Sequence, residues 1–197
     1  MYTFVFLWTP ALAPSQESLP HGAIFACFMV SSMVGSALVG RLLAPGTGRR
    51  VERYMQAVFV ASAACLLVPV FVHSGGTVQT VDPATGGLAL WGRVQLAAFC
   101  CFELLVGMFW PSMMTMRSAH VPEEMRSTVI NIFRVPLNLF VCLVMYNVEA
   151  VPLSHMFAMC VAFLLLCAAC QNRFAALVAR GKAEEQGAQM VEVAVTA

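Results

Sequence analysis

Five stretches of the chain stay apolar for close to the length that crosses a bilayer: His21 to Leu43, Tyr54 to Val72, Val94 to Met116, Ser127 to Tyr146, and His155 to Cys170 with its flanks. A spanning helix needs about 20 mostly apolar residues, so each stretch predicts a transmembrane helix. Ahead of them lies MYTFVFLWTPAL, starting at Met1. As a helix it extends only about 18 Å, at about 1.5 Å per residue, against a hydrocarbon core of about 30 Å. It has neither the basic start nor the small-residue cleavage site of a signal peptide, since Trp8 and Pro10 stand where that site would be sought. The pattern therefore predicts a six-helix unit over residues 1–172 whose first helix is entered partway along, so the chain reads as a fragment of a larger protein. The polar end, KAEEQGAQMVEVAVTA, predicts a disordered tail over residues 173–197.

Composition agrees with an all-α polytopic membrane protein: 60% of residues are hydrophobic, 11% are charged, and the mean hydropathy is +0.80. The net charge of +1 makes no case for a nucleic-acid partner; what matters is where the positive charges fall. Alternate loops collect Arg41, Arg49, Arg50 and Arg53, then Arg117 and Arg126, then Arg173, Arg180 and Lys182, nine of the eleven basic residues. The opposite side has only Arg93, and Arg134 lies within a span. This asymmetry predicts that RLLAPGTGRRVER, RSAHVPEEMR and the C-terminal tail are cytoplasmic, with APSQESLP, HSGGTVQTVDPATGG and NVEAVPLS on the other side.

Several residue types that suggest chemistry have simpler readings. Ser32, Ser36 and Gly40 form a stripe of small residues suited to close helix packing. The eight cysteines include the pair Cys100 and Cys101 and a C-x-x-C at Cys167 and Cys170, but they fall in apolar helix, where a thiol behaves as a small hydrophobe. Zinc sites instead use paired ligands in loops. His21, His73, His120 and His155 fall near span ends, as interfacial rings do. No nucleophilic triad, Walker motif or dinucleotide glycine pattern is present, so the reading is a non-enzyme without metal or cofactor.

Polar residues at membrane depth carry more information. A central arginine costs about 2.5–3.5 kcal/mol on insertion scales, yet NIFRVPLN places Arg134 inside a span, next to Pro136. Asn131, Arg134 and Asn138 are spaced i, i+3, i+7 and share one helix face; on the preceding span Glu103, Gly107 and Pro111 do the same at i, i+4, i+8. At about 1.5 Å per residue, Arg134 lies about 10 Å and Glu103 about 17 Å from the basic side. One reading is a buried ion pair between Glu103 and Arg134, with both asparagines as interhelical hydrogen-bonding groups. The other is that Arg134 lines a wet cavity and binds an oxyanion through its planar fork, with Asn131 and Asn138 beside it. Pro111 and Pro136 would then break their helices, which is tolerated where a cavity satisfies the backbone. The two readings coexist if Glu103 holds Arg134 until substrate arrives and takes part in coupling.

Three segments in order, MYTFVFLWTP, FELLVGMFWPSM and NIFRVPLN, resemble the C-terminal half of the molybdate-anion transporter family of the major facilitator superfamily, over Met1 to about Cys170. GRLLAPGTGRR is similar to that superfamily's cytoplasmic loop motif, through Gly40, Leu42, Gly48, Arg49 and Arg50, with one extra residue and without the usual Asp. The resemblance implies helices seven to twelve of a twelve-helix transporter working by alternating access, with the substrate site between the halves near the midplane. Its implied partners are the lipid bilayer, an N-terminal six-helix half and a small inorganic oxyanion, molybdate before tungstate or sulfate. The implied location is the plasma membrane. A non-transporting accessory or sensor protein on the same fold is the alternative, and a membrane redox or metal enzyme, resting on the cysteines alone, is a third.

Overall fold

The computed structural model describes residues 2–12, 19–43, 51–75, 80–82, 87–147 and 150–196. They form α1 Tyr2–Leu12, α2 His21–Leu42, α3 Val51–Ser74, α4 Leu90–His120, α5 Glu123–Tyr146 and α6 Leu153–Thr196. All but α1 are long and apolar enough to cross a membrane, as the hydropathy pattern predicts. Most of the helices overrun the apolar windows, most of all α6, because hydropathy registers only the length that lies in lipid, whereas the backbone ladder continues into polar turns. The β pairing among the described residues is a single bridge between Val81 and Leu88 in the α3–α4 connection.

The C-terminal end departs from expectation. Residues 173–196, read from sequence as disordered, continue α6 as one helix of 44 residues. Two effects favour helix over coil here: Ala, Glu, Gln and Lys are strong helix formers, and a segment appended to an existing helix has no nucleation step to overcome.

Although α1 is short, it is the most enclosed element. Phe4, Leu7, Trp8, Ala11 and Leu12 are all buried, at the i, i+3, i+4, i+7 spacing of one helix face. Phe4 lies at the centre of an aromatic cluster, 5.9 Å from Phe28 of α2 and 5.0 and 4.8 Å from Phe99 and Phe102 of α4. Phe157 and Val161 of α6 and Leu66 of α3 close the same core. In lipid such contacts stabilise through packing rather than water expulsion, so shape fit decides which helices meet.

The closest fit is between α2 and α4. A Cβ at Gly35 would overlap the Leu104 carbonyl, and one at Gly107 would overlap the Ser32 backbone. Only the first residue of the predicted Ser32, Ser36, Gly40 stripe therefore lies at this contact. Ser36 and Gly40 are exposed, because an i+4 step overshoots a period of about 3.6 residues and the stripe drifts round the helix. Gly35, at i+3, takes their place.

At the other end of the bundle, polar contacts tie α3, α4 and α6. His120 Nε2 lies 3.4 Å from Glu52 Oε1, the Gln171 amide donates to the Glu52 carbonyl over 3.1 Å, and Phe174 meets the His120 ring edge-on. Nearby, Tyr54 Oη and Ser112 Oγ are 2.6 Å apart. The start of α3, the end of α4 and the later part of α6 thus share one end, as the alternation of basic loops requires. A cysteine at Gly48, in a chain lacking its native cysteines, is expected to resist an impermeant maleimide in intact cells and to react after permeabilisation. Labelling in intact cells would reverse the proposed orientation.

Candidate functional site

The helix carrying the arginine is the least enclosed of the six: α5 has no buried residue. It is attached along one flank, where Leu137, Phe140 and Val141 line a cavity and Val144 packs on the main core. Phe140 meets Phe163 of α6 edge-on at 5.2 Å. Asn131, Arg134 and Asn138 occupy the next flank, about 100° round the helix at 3.6 residues per turn, and all three are exposed. The predicted polar face therefore exists as one continuous strip.

Glu103 lies elsewhere. It is buried at 4% exposure, one turn before Gly107 on the face of α4 that packs against α2. Among the described residues no ion pair or hydrogen bond joins it to Arg134. The expected pair is not formed, because the two side chains project from helix faces turned toward different neighbours. Nor do the prolines break their helices: α4 runs through Pro111 and α5 through Pro136. Each proline removes one ladder bond from a long helix whose remaining bonds hold, and Thr115 Oγ1 donates to the Pro111 carbonyl over 2.9 Å. Gly40 and Leu42 lie at the end of α2, while Gly48, Arg49 and Arg50 fall outside the described residues.

The cavity beside α5 has a volume of about 540 Å³ and an apolar lining from α1, α3, α4, α5 and α6, including Phe4, Phe102, Trp110 and Phe163. Its lining carries no charged side chain, so it offers a small anion no countercharge. All eight cysteines are free thiols, and no cluster of His, Cys, Asp or Glu among the described residues is arranged to hold a metal ion.

Residues 1–99 match a sequence family described as sugar transporters with 12 transmembrane segments. The chain belongs to this family of the major facilitator superfamily. It is also 30% identical over 174 residues to a molybdate-anion transporter of Xenopus laevis, across 86% of this chain and 36% of that protein. A molybdate-anion transporter of Takifugu rubripes is 32% identical over 143 residues, across 73% of this chain and 27% of its own length. The chain thus spans about a third of the length of these curated relatives. No solved structure matches it. As a family member the chain is a multi-pass membrane protein, and five of its helices are long and apolar enough to cross the membrane.

Sequence reasoning missed two features of this transporter fold. One is the Gly35–Gly107 contact, whose signal was a small residue on each of two adjacent spans. The other is a buried glutamine, Gln95, described below; an amide near a span end gives no hint that it is fully enclosed.

Proposed function

We propose that the chain is the C-terminal six-helix half of an alternating-access transporter for a small inorganic oxyanion, with molybdate the first candidate. The observation that carries the reading is the outward strip of α5. A fixed cation and two amides lie side by side on a helix with no buried residue, and Arg134 has no acidic partner among the described residues. A surface of this kind at membrane depth calls for a second protein surface and a negative ligand. A guanidinium offers parallel donors matched to an oxyanion, and the asparagine amides add donors on the same side. Sugars, by contrast, are neutral and give an unpaired guanidinium no countercharge. The names of the relatives from Xenopus laevis and Takifugu rubripes point the same way.

The second surface is an N-terminal six-helix half, so that α5 faces the cavity between halves. Glu103 then serves as a buried carboxyl within this half rather than as a clamp on Arg134. Uptake of radiolabelled molybdate by plasma-membrane vesicles bearing the full-length gene product tests the reading. Uptake is expected to be competed by tungstate and not by hexoses. Competition by a hexose with no effect of tungstate would replace the oxyanion by a sugar.

A further inference from the structure

At the end of the bundle that carries the Val81–Leu88 bridge, three helices meet at a buried polar junction that the anion site does not use. Gln95 of α4 is fully buried, and its Nε2 donates over 3.1 Å to the carbonyl of Ala11, near the end of α1. A carbonyl only accepts, so this bond fixes which way the amide points. The same Nε2 lies 3.4 Å from Nε2 of His73, in the last turn of α3. The other end of the amide, Gln95 Oε1, is buried with no hydrogen-bond partner. A buried acceptor left unpaired is unfavourable, and here a group able to become a donor stands beside the amide that carries it.

We propose that His73 is a proton-binding site that releases the end of α1 from α4. In the neutral imidazole Nε2 accepts from Gln95 and holds the amide on Ala11. When hydronium delivers a proton to Nε2, leaving water, that nitrogen becomes a donor, and two N–H groups no longer tolerate facing each other. Gln95 turns its amide and presents the unpaired Oε1 to the imidazolium, forming a charge-assisted bond stronger than the one lost. The same turn sets an acceptor against the Ala11 carbonyl, which breaks the α1–α4 bond. Proton binding thus frees the end of α1 from α4.

Other charged or titratable groups at this end of the bundle are His21, against Trp8; Arg93, whose Nε donates to the Leu88 carbonyl; Asp82 in the α3–α4 connection; and His155, beside Ser154. To the junction itself α1 brings the Ala11 carbonyl.

The test is pulsed-dipolar distance measurement on the 197-residue chain in nanodiscs, with native cysteines replaced and spin labels at Phe6 and Leu90, both exposed. Between about pH 8 and about pH 4, the lower value well under the ordinary imidazole range near about 6.5, the distance is expected to lengthen by about 2 Å, the scale of a helix shift. His73→Gln keeps an acceptor for Gln95 but binds no proton, so it should hold the short distance at both pH values. Gln95→Leu lacks the tether and should show the long distance at both. An invariant distance in the parent chain, a pH shift that persists in His73→Gln, or a short distance retained in Gln95→Leu would each overturn the proposal.

Discussion

Arg134→Lys in the full-length transporter is expected to reach the membrane in normal amount and to lose molybdate affinity about 10- to 150-fold. Lysine keeps the charge but replaces a planar pair of donors with a single ammonium. Losing a charge-assisted hydrogen bond costs about 1.5–3 kcal/mol, and each 1.4 kcal/mol is about tenfold in affinity. Folding should survive, because α5 buries no side chain and Arg134 has no ion-pair partner among the described residues. Asn131→Ala and Asn138→Ala remove neutral donors of about 0.5–1.5 kcal/mol, so their losses should stay near two- to tenfold. Initial uptake rates against molybdate concentration, normalised to surface protein, separate these outcomes.

The largest effect on folding is expected from Gly35→Ala and Gly107→Ala. At both positions the added methyl would overlap main-chain atoms of the facing helix, Leu104 in one case and Ser32 in the other. No rotamer change relieves a clash with backbone, so α2 and α4 must separate along their contact. Overpacking that a flexible side chain absorbs costs about 1–3 kcal/mol; here the loss should exceed that range and largely abolish monodisperse protein on size-exclusion chromatography. Gly40→Ala is the matched control, since nothing lies within 4 Å of its Cβ position, and it should behave as the parent chain.

The number and order of the helices were legible in the sequence because lipid imposes a long one-dimensional signal: about 20 apolar residues, then a charged or turn-rich loop. The polar strip of Asn131, Arg134 and Asn138 was legible for a related reason, since helical periodicity alone puts them on one face. Which face meets which helix was not. Hydropathy is nearly uniform around α2 and α4, so it could not separate Gly35, at the contact, from Gly40, exposed on the same helix. Nor could it tell that Glu103 is buried while Arg134 is exposed. Pairing them from depth alone used one coordinate where two are needed. The 173–196 segment was misread because low hydrophobicity signals absence of a core, not absence of helix.

The central claim is that Arg134 serves an anion rather than Glu103. The most direct measurement is molybdate uptake by the full-length protein carrying Arg134→Ala, alone and together with Glu103→Ala. If Arg134 binds the oxyanion, both proteins reach the surface and both lose saturable uptake, the second change restoring nothing. Recovery of parental affinity in the double variant, with rescue of a folding defect in the single one, would contradict the account and return Arg134 to a structural ion pair.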